Sequence, residues 1–535
     1  MPKIRIDNRE LETAEGTTIL DAARSIGVDI PALCYRDGCR PNTSCLACVV
    51  RVNGSQRLVP SCATRVIDGM SIESETAEVR DARRTAIELL LADHAGDCLA
   101  PCTNVCPAHM DIPLMIRHIA AGQLHQALVT VKERIALPAI LGRICPELCE
   151  KGCRRNVLDS PVSICRLKRH VADVDLQSPH PYLPPCKPTT GKRVAIVGSG
   201  PTGLAAAYYL LQDGQTPILF DAHPLPGGNL RYAVDPARLP HDVLDAEIDL
   251  IRRLGAEFRQ NIRIGQHLSL NDLRRDFDAV LLAVGEVDQA KAALVGAELA
   301  GAGLKVQRKA MMTAVDGVFA AGAALTPFRH AIRAVAQGSE AAAMIDQYLR
   351  GLLVVPRGPA FTVRLGVLNP AEVAAFTAQS TPNLRTPPPP DNHGFSIPQA
   401  RGESERCLHC DCGKLDGCTL RKYSIAYGAS PKKYAMDRRP FERIITHPSL
   451  IYEPGKCIAC GLCVQITEQA REPLGLTFIG RGFKVRVGVP FNAELSEALR
   501  EVAEQCVDAC PTGALVLRKN AAPPAPATRP LEQAP

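Results

Sequence analysis

The cysteines constrain the fold of this chain more than any other feature of its sequence. Of its 535 residues 22 are cysteines, and 20 of these, counting Cys506 with the last group, fall into four groups that leave out only Cys39 and Cys186. The N-terminus, MPKIRIDNRE, lacks the apolar core of a secretory signal, so nothing indicates the oxidising compartment in which disulfides persist. Grouped cysteines in a reducing compartment are typical of metal sites, which predicts a cytoplasmic protein that folds around metal centres.

Composition argues against two broad classes of function. A net charge of +6 is small for this length, no basic block stands out, and aromatic residues make up only 4%. These features argue against nucleic-acid binding, which uses basic patches and aromatic stacking. No run approaches the ~18 apolar residues of a membrane span, so none is expected.

The pattern of the sequence changes several times along the chain, which predicts several compact units. Alternating strands give way to helices with apolar residues three to four apart, then to a βαβ pattern and to proline-rich and cysteine-rich segments. The predicted units are a small α+β domain (1–78), a helical domain (79–185), a Rossmann-like α/β domain (186–352), a linker (353–402), a short cysteine-rich motif (403–440), a second cysteine-rich domain (441–520) and a disordered tail (521–535).

The first cysteine group is Cys34-x10-Cys45-x2-Cys48-x13-Cys62. Four thiolates, two of them on a tight turn, suit a [2Fe–2S] cluster or zinc, but zinc knuckles usually have two CxxC pairs and this group has one. The segment CYRDGCRPNTSCLACVVRV resembles the N-terminal [2Fe–2S] domain of the iron–sulfur subunit of respiratory NADH dehydrogenase and of iron hydrogenases. This resemblance implies a β-grasp fold that binds one [2Fe–2S] cluster, with Cys39 as a bystander.

The second group comprises His94, Cys98, Cys102 and Cys106, followed by Cys145, Cys149, Cys153 and Cys165. The segments CTNVCPAHMDIP, GRICPELCEKGC and PVSICRLKR resemble the helical Fe–S domain shared by the glutamate synthase small subunit and the N-terminal part of dihydropyrimidine dehydrogenase. The resemblance implies two [4Fe–4S] clusters with interleaved ligands. The implied sets are Cys98, Cys102 and Cys153 for one cluster, and Cys106, Cys145 and Cys149 for the other.

Each of these implied sets lacks one ligand. The first cysteine pair of the family is absent, and His94 stands close to the missing position. The phrase around it, LLLADHAGDC, also resembles the NADH dehydrogenase segment in which a histidine binds a cluster. The alternative for His94 is a helix-capping surface residue. The non-cysteine ligand of the family falls at Lys168, which cannot bind iron while charged. Cys165 is the predicted replacement, and the alternative for it is a buried core thiol.

The third group is Cys407-x2-Cys410-x-Cys412-x5-Cys418. Four cysteines so close in sequence can close on one metal centre, and we predict a further [4Fe–4S] cluster there. Structural zinc is the alternative, and His409 inside the motif would suit it.

The fourth group is Cys457-x2-Cys460-x2-Cys463 with the distant Cys510. It resembles a bacterial ferredoxin, in which three cysteines of one motif and a distal Cys-Pro bind one [4Fe–4S] cluster. Thr467, Arg500 and Ala503 stand where the cysteines of a second cluster would be needed, and Cys506 is left over. The resemblance therefore implies a single cluster.

A dinucleotide motif follows the strand VAIV. Its predicted binding residues are Gly198, Ser199, Gly200, Pro201, Gly203 and Asp221. Glycines in this register let a pyrophosphate approach the N-terminus of the next helix, and the acid after the second strand accepts from ribose hydroxyls. The motif alone does not separate NAD from FAD.

Two further segments favour FAD through a resemblance to the glutamate synthase small subunit. PGGNLRYAVDPARLPHDVLDAEIDLI resembles the segment after its FAD turn, and VDGVFAAGAA resembles its second FAD segment. The resemblance adds contacts at Gly228, Asn229, Leu230, Arg231, Gly322 and Ala323. Most relatives have Asp where Ala323 stands, so one contact is lost, while backbone N–H groups remain to hold the phosphate.

The relatives insert a second Rossmann unit, which binds NADPH, between their two FAD segments. Here about 35 residues cross directly from one segment to the other, too few for a βαβαβ unit. This difference implies that the FAD exchanges electrons with clusters or with a partner, and not with NAD(P)H on this chain.

The predicted fold class is a multidomain protein of α/β and α+β parts. The predicted function is an electron-transfer iron–sulfur flavoprotein subunit with FAD, one [2Fe–2S] and three to four [4Fe–4S] clusters. Its expected partners are a catalytic hydrogenase or dehydrogenase subunit, such as a formate or NADH dehydrogenase, and an NAD(H)-binding flavoprotein. The alternatives are a self-sufficient NAD(P)H-dependent reductase and a non-redox scaffold with structural metals. No pattern of catalytic residues is evident.

Overall fold

A computed structural model describes residues 1–307, 309–378, 380–388, 393–435 and 438–518. The predicted disordered tail (521–535) lies outside the described residues. The chain divides into two compact units: the described residues within 1–100, 360–379 and 410–520 form unit 1, and those within 101–359 and 380–409 form unit 2. The division at Ala100 falls inside the predicted helical domain (79–185), whose first helix therefore belongs to unit 1.

The β-strands are short. They are β1 (Lys3–Ile6), β2 (Arg9–Glu12), β3 (Val49–Val52), β4 (Leu58–Pro60), β5 (Ser71–Glu73), β6 (Arg193–Val197), β7 (Thr216–Phe220), β8 (Glu257–Arg259), β9 (Ala279–Leu282), β10 (Leu299–Ala300), β11 (Gly303–Leu304), β12 (Val318–Ala320), β13 (Leu450–Tyr452), β14 (Thr477–Ile479), β15 (Arg486–Gly488) and β16 (Leu515–Leu517).

The α-helices range from single turns to α14. They are α1 (Ile19–Ser25), α2 (Ala77–Ala92), α3 (Pro101–Val105), α4 (Ile112–Ala120), α5 (Leu124–Lys132), α6 (Pro138–Ile144), α7 (Leu148–Lys151), α8 (Ile164–Leu176), α9 (Pro201–Gln212), α10 (Asn229–Tyr232), α11 (His241–Arg253), α12 (Leu270–Asp276), α13 (Gln289–Leu294), α14 (Ala331–Leu349), α15 (Pro370–Thr377), α16 (Ile397–Ser404), α17 (Thr419–Ala426), α18 (Leu462–Gln469), α19 (Leu495–Ala498) and α20 (Ala503–Ala509). Short 3-10 helices are Arg154–Val157, Gly322–Ala324, Pro454–Lys456, Gly482–Lys484 and Pro490–Asn492.

Unit 1 begins with a five-stranded mixed sheet in the order β2-β1-β5-β3-β4. Ile4 and Ile6 of β1 are buried while their neighbours Lys3 and Arg5 are exposed, as expected for a strand with one face against a core. The helix α1 packs on this face, and its N-cap Thr18 accepts the N–H of Asp21. This architecture agrees with the predicted small α+β unit.

The rest of unit 1 combines the ribbon β13–β16 with the helices α17, α18 and α20. A fully buried arginine, Arg83 of α2, ties this part to the sheet. Its guanidinium donates to the carbonyl of Val49 at 3.0 Å and to the hydroxyl of Tyr427 at 2.8 Å, and it pairs with Glu75 at 2.9 Å. These partners offset the cost of burying its charge, while its Nη2 has no hydrogen-bond partner among the described residues.

Unit 2 contains a parallel five-stranded sheet in the order β12-β9-β6-β7-β8. The strand β6 is buried on both faces, which is typical of a parallel sheet covered by helices. The order changes direction between β6 and β9, and open sheets of this kind bind ligands at such a switch point. In the described part of residues 283–317, the chain forms only α13 and the ribbon β10–β11 between β9 and β12.

The helices α3 to α8 form the rest of unit 2, together with α16. The helices α6 and α8 cross closely at Gly142, where an added Cβ would lie 2.5 Å from the Cβ of Arg169. Glu247 of α11 accepts the backbone N–H groups of Ala139 and Ile140, both at 2.9 Å, at the start of α6. This buried carboxylate joins the helical part to the sheet part of the same unit.

The predicted linker (353–402) differs from the structure. It contains α15 and most of α16, each begun by a capping box in which an N-cap side chain and the third helical residue bond each other's backbone. Leu365 and Phe376 are buried in unit 1, and Phe395 is buried in unit 2. The apolar residues of this segment are isolated and lack helical spacing, so the sequence pattern does not predict that they are buried.

Candidate cofactor sites

The four cysteines of the first group come together in unit 1, in the loop between α1 and β3 and at the end of β4. All are buried, and the Sγ atoms of Cys48 and Cys62 are 3.4 Å apart. Side-chain contacts run from Cys34 to Cys45 and from Cys45 to Cys48. The contact with Cys45 and burial both raise the pKa of the Cys34 thiol. Four converging thiols in a buried loop fit the donor set of a [2Fe–2S] cluster.

The four cysteines of the fourth group line one cavity in unit 1. The remaining walls of this cavity include Tyr452, Leu462, Leu476 and Val487. The apolar walls and four thiols fit a [4Fe–4S] cluster, and burial raises the pKa of the thiol of Cys457. The cysteine set is Cys457, Cys460, Cys463 and Cys510.

The positions of the missing second ferredoxin cluster have structural roles. Thr467 donates its hydroxyl to the carbonyl of Val464 at 2.9 Å and accepts the N–H of Leu476 at 3.1 Å. The left-over Cys506 is fully buried, with its Sγ 3.9 Å from the carbonyl oxygen of Cys463. Neither Thr467 nor Cys506 lines the cavity.

The first-group loop packs directly on α18. Asn42 donates to the carbonyl of Cys460 at 2.6 Å. Gln465 both accepts the N–H of Arg40 at 2.7 Å and donates to its carbonyl at 2.9 Å. Burial raises the pKa of the Cys460 thiol, and the charge of Cys34 is among the further causes. The candidate site of the first cysteine group, which we call the [2Fe–2S] site, and that of the fourth group, which we call the ferredoxin-like site, are therefore neighbours in unit 1.

A third thiol set lies in unit 2 and surrounds a fully buried lysine. It consists of Cys106, Cys145, Cys149 and Cys165. Side-chain contacts join Cys165 to Cys145 and to Cys149, and Lys168 Nζ is 4.0 Å from the Cys165 Sγ. Burial lowers the pKa of Lys168, but the charges of these four thiols outweigh it and raise that pKa. Cys165 thus stands beside Cys145 and Cys149, two of the three cysteines that the resemblance assigned to this cluster, and the charged Lys168 lies next to it.

Glu150 holds the Cys165 end of this site. Its carboxylate accepts the backbone N–H of Cys165 at 3.0 Å and pairs with Arg385 at 2.6 Å. Burial raises the pKa of Glu150 to about 7, although these partners oppose the rise.

Cys102, Cys153 and Cys407 lie in another part of unit 2. The helices α3 and α7 pack closely, since an added Cβ on Gly152 would lie 2.2 Å from Val105. Cys102 is on α3, and Cys153 follows Gly152. Burial raises the pKa of the Cys153 thiol, and the nearby Cys407 adds to the rise.

The residue before Cys407 is anchored by buried charges. Arg406 is fully buried, pairs with Glu403 at 2.8 Å and with Asp159 at 3.0 Å, and its carbonyl accepts from Arg155 at 2.7 Å. This network keeps Cys407 in unit 2.

The remaining cysteines of the third group lie in unit 1, where Cys412 donates its N–H to the carbonyl of Cys98 at 3.1 Å. Cys410 is half-buried, and Cys418 is the N-cap of α17. The boundary between the two units therefore falls inside the third group, between His409 and Cys410. Cys98 has Cys412 beside it, and Cys153 has Cys407 beside it. The physical reason is that the ion pairs of Arg406 hold one end of the motif, and the Cys98 carbonyl holds the other.

The Gly-rich turn after β6 has the close approaches that its glycines predict. Gly198 has φ 108°, and an added Cβ on Gly203 would lie 1.9 Å from the Gly198 carbonyl oxygen. An added Cβ on Gly200 would meet nothing closer than Gly228 Cα at 3.9 Å. The backbone at Gly200 is therefore open to a ligand, which fits a pyrophosphate at the N-terminus of α9.

Asp221 is engaged with the turn itself. Its Oδ2 accepts both the N–H and the hydroxyl of Ser199, at 2.8 and 2.7 Å, and its Oδ1 accepts the N–H of His223 at 3.0 Å. Burial opposes it, but these bonds together lower the pKa of Asp221. The carboxylate keeps further acceptor capacity for ribose hydroxyls, so its predicted role is compatible with this geometry.

The second predicted segment meets the first at the N-terminus of α9. Gly322 (φ 78°) packs against Thr202, where an added Cβ would lie 2.3 Å from the hydroxyl oxygen, and Gly338 of α14 lies equally close to the Thr202 carbonyl. Ala323 is half-buried in the turn after β12. The two segments thus form one cradle.

The loop after the turn is partly structural. Arg231 is buried, donates to the carbonyl of Pro226 at 2.8 Å and pairs with Asp245. Leu230 is buried and Asn229 is exposed. Arg231 therefore fixes the loop that carries Gly228.

Three parts of the chain match known protein families. Residues 2–77 match the family described as 2Fe-2S iron-sulfur cluster binding domain. Residues 75–179 match dihydropyrimidine dehydrogenase domain II, 4Fe-4S cluster, and residues 196–250 match an NAD(P)-binding Rossmann-like domain.

Relatives with named functions match part of the chain. The NADP(+)-dependent formate dehydrogenase subunit beta of Moorella thermoacetica is 39% identical over 207 residues, 35% of this chain and 29% of that protein. The NAD-dependent dihydropyrimidine dehydrogenase subunit PreT of Salmonella typhimurium is 39% identical over 203 residues, 37% of this chain and 49% of that protein. The glutamate synthase [NADPH] small chain of Escherichia coli is 34% identical over 198 residues, 36% of this chain and 42% of that protein.

The chain is a relative of iron–sulfur oxidoreductase subunits. The predicted resemblance to the glutamate synthase small subunit and the prediction of an oxidoreductase are confirmed at this level. The chain spans less than half the length of these relatives, so their activities and partners remain matters for proposal.

Two further observations concern the candidate sites and the helices of this relative of oxidoreductase subunits. Among the described residues, no three His, Cys, Asp or Glu side chains converge on a point suited to a single metal ion. Ligands of an iron–sulfur cluster bind different iron atoms and need not converge in that way. No described helix is both long and apolar enough to cross a membrane.

Sequence reasoning missed two neighbours of the cysteines. Lys456 is buried, and its charge opposes the rise that burial causes in the pKa of Cys98. Gly513 lies so close to Cys412 that an added Cβ would be 2.3 Å from the Sγ. The run CPTGAL predicts only a ferredoxin motif. The glycine in this run is the sequence feature that could have indicated close packing against another residue.

Proposed function

We propose that this chain is an electron-transfer subunit that relays electrons between FAD, its iron–sulfur clusters and partner subunits. The observation that carries the proposal is the adjacency of candidate redox sites within each unit. When bound, FAD exchanges two electrons or one, and each cluster exchanges one. Neighbouring sites of these kinds suit a chain that divides electron pairs into single electrons.

In unit 2, the dinucleotide cradle and the thiol set around Lys168 share a contact. Arg238, in the segment that follows the cradle glycines, donates to the carbonyl of Ile144 at 3.3 Å. Ile144 directly precedes Cys145. The backbone that presents a proposed iron ligand is therefore fixed against the segment proposed to border the flavin.

In unit 1, the loop that carries the first cysteine group is bonded to α18, which carries Cys463. The side chains of Asn42 and Gln465 make these bonds, as described above. Well-satisfied polar contacts between two sites keep their separation fixed, which an electron relay requires.

We propose that the electron donor or acceptor for the FAD is not NAD(P)H bound to this chain. The description NAD(P)-binding for residues 196–250 fits the same Gly-rich turn that we assign to FAD. Between β9 and β12, the described residues form one short helix and a two-stranded ribbon, which offer no second cradle. Partners of hydrogenase, formate dehydrogenase or NADH dehydrogenase type, in the cytoplasm, are our proposal, in line with relatives that are themselves named as subunits.

The test uses full-length protein purified without oxygen. We expect one FAD per chain, and we expect that NADH or NADPH alone leaves the flavin oxidised while dithionite bleaches flavin and clusters. Rapid bleaching of the flavin by NAD(P)H would contradict the relay and support the self-sufficient reductase. A colourless protein that contains only zinc would support the scaffold.

A matched pair of variants tests the cradle. Gly200→Val places a side chain where the backbone is open to a ligand, and we expect loss of FAD with the iron content unchanged. Gly358→Val is the control, because an added Cβ there meets nothing within 4 Å. Retention of FAD in Gly200→Val would contradict the assignment.

A further inference from the structure

The third cysteine motif, which the sequence assigned to one metal centre, is divided in the structure. Cys412 and Cys418 lie with Cys98 in unit 1, and Cys407 belongs to unit 2. Burial raises the pKa of the Cys98 thiol, and the Cys412 thiol adds to this rise. Burial also raises the pKa of Cys418 to about 11, with Cys412 and Cys98 contributing. The geometry agrees, because Cys412 donates its N–H to the Cys98 carbonyl at 3.1 Å, and the sulfurs of Cys412 and Cys418 lie against Gly513 and Pro511, two residues apart in sequence.

Backbone donors are aimed at the sulfurs of this group. The N–H of Val363 donates to the Sγ of Cys98 at 3.5 Å, and the N–H of Arg421 donates to the Sγ of Cys418 at 3.4 Å. N–H groups that point at thiolate sulfur stabilise the anionic form and are one of the means by which proteins tune iron–sulfur clusters. Gly513 leaves room for the Sγ of Cys412 where any larger residue would collide with it.

His94 supplies a fourth donor. Its Nδ1 is enclosed and, within the described part of the chain, has no hydrogen-bond partner. The backbone next to it is fixed, because Ala95 donates its N–H to the carbonyl of Gly455 at 2.7 Å. A buried ring nitrogen without a partner is costly unless something absent from the protein chain binds it.

Lys456 connects the histidine to the thiols. Burial lowers the pKa of His94, and the charge of Lys456 lowers it further. The same charge opposes the rise that burial causes in the pKa of Cys98, and the charge of Cys412 in turn raises the pKa of Lys456. Its side chain lies against Gly96, where an added Cβ would be 2.6 Å from the lysine Cε. One buried ammonium group thus lies near all the donors except Cys418.

We infer that His94, Cys98, Cys412 and Cys418 bind a [4Fe–4S] cluster, which we call the Cys98 site. The site lies next to the ferredoxin-like site, because the thiol of Cys418 is 3.7 Å from the carbonyl of Pro511, the residue after Cys510. A cluster at this position extends the proposed relay by one step. The metal site itself stands without the proposed function, and only its place in the relay rests on it.

Iron counts in single and double variants test the grouping. A chain with one [2Fe–2S] and four [4Fe–4S] clusters contains about eighteen irons. We expect that Cys98→Ala and Cys412→Ala each lose about four irons and that the double variant loses the same four. Cys407→Ala with Cys412→Ala is expected to lose about eight, because these residues serve different clusters.

The control is Cys39→Ala, a buried cysteine of the same unit outside every proposed set, which is expected to keep all iron. If Cys407→Ala with Cys412→Ala loses no more iron than Cys412→Ala alone, the motif closes on one centre and the inference is overturned. Stoichiometric zinc that disappears in Cys412→Ala would overturn it as well.

Spectroscopy tests the histidine and guards against variants that fail to fold. Pulsed electron paramagnetic resonance of the reduced protein should show nitrogen coupling that changes when histidine is labelled with nitrogen-15. We expect this coupling to vanish in His94→Cys while the iron content stays constant. Coupling that persists in His94→Cys would contradict the assignment of His94.

Gly513→Ala keeps every proposed ligand and displaces only the Cys412 sulfur. We expect it to lower the occupancy of the Cys98 site and to leave the [2Fe–2S] signal intact. Full occupancy of the Cys98 site in Gly513→Ala would contradict the geometry of the site.

Discussion

The two units each bury one lysine against thiols, but they neutralise its charge by different means. In unit 1, Lys456 pairs with Glu453, a buried carboxylate that Arg443 also contacts at 2.8 Å. Burial lowers the pKa of Lys456, but the charges of Glu453 and Cys412 raise it above its usual value. In unit 2, the groups that raise the pKa of Lys168 are the thiols of the surrounding cysteines. Unit 1 therefore supplies its own counter-charge, whereas unit 2 depends on thiolates.

This difference makes the cluster of unit 2 part of its charge balance. A thiol in apolar surroundings keeps its proton unless a metal binds it, so the thiolates that neutralise Lys168 exist only with a metal centre in place. A buried charge that loses its partner is strongly destabilising. Unit 2 should therefore need its cluster for stability more than unit 1 needs the Cys98 site.

The largest expected effect follows from removing a ligand beside Lys168. We expect Cys149→Ala to lose the cluster and to destabilise unit 2 by about 3–5 kcal/mol, because the ammonium group is left uncompensated. Adding Lys168→Met should recover much of this loss. Thermal unfolding without oxygen, compared across the single and double variants, measures the recovery.

The matched pair in unit 1 is Cys412→Ala with and without Lys456→Met. There the second substitution should bring no recovery, because it removes one of the two buried cations that pair with Glu453 and leaves only Arg443. Equal recovery in both units would remove the distinction between them.

The buried carboxylates of the two units also differ, and this predicts opposite responses to pH. In unit 2, burial raises the pKa of Glu247 from 4.5 to about 7, against the bonds from the two α6 N–H groups. In unit 1, the hydrogen bond from Arg438 lowers the pKa of Glu372 to about 2. The folded form of unit 2 therefore holds an extra proton between pH 4.5 and 7, and its stability falls as pH rises through that window.

The loss expected from Glu247 alone is about 3 kcal/mol, and it levels off above the raised pKa. The Glu372 contribution to unit 1 is fully present above pH 4.5 and is lost only as pH falls toward 2. Thermal unfolding between about pH 5.5 and 8 measures the slope, and Glu247→Gln should reduce it while leaving the share of Glu150, whose pKa burial also raises to about 7. A transition of unit 2 that gains stability with rising pH would contradict this view of Glu247.

The sequence predicted the local parts of these sites and missed the long-range ones. The cysteine spacings around Cys45 and Cys460 and the glycines after β6 lie within short segments, so local rules were sufficient. The pairing of Cys98 with Cys412 joins residues more than three hundred positions apart, and no local pattern records it. Lys168 was recognised from the resemblance as a departure from the family ligand, but its role as a buried charge depends on burial, which spacing does not show.

A smaller effect concerns the potential of the unit 2 cluster. The ammonium group of Lys168 stabilises the reduced, more negative form of a cluster beside it. We expect Lys168→Met to lower the midpoint potential by on the order of 100 mV, as an unscreened unit charge at this range predicts. Redox titration followed by electron paramagnetic resonance measures the shift.

The control is Lys151→Met, an exposed lysine on the same helix as Cys149. Solvent screens its charge, so its shift should be within about 10 mV. An unchanged potential in Lys168→Met with full iron content would show that Lys168 is not charged beside the cluster.

The smallest expected effect is on the midpoint potential of the Cys98 site in unit 1. Glu453→Gln removes the carboxylate that offsets Lys456 and makes its surroundings resemble those of Lys168. The potential of the Cys98 site should rise by about 30 mV, a smaller shift than in unit 2 because Glu453 acts from behind the lysine and Arg443 remains. Glu442→Gln, which removes an exposed ion pair with Arg486, is the control and should leave the potential unchanged. A fall in potential in Glu453→Gln would mean that Lys456 loses its proton with its partner, and the two units would then differ in lysine ionisation and not in counter-charge.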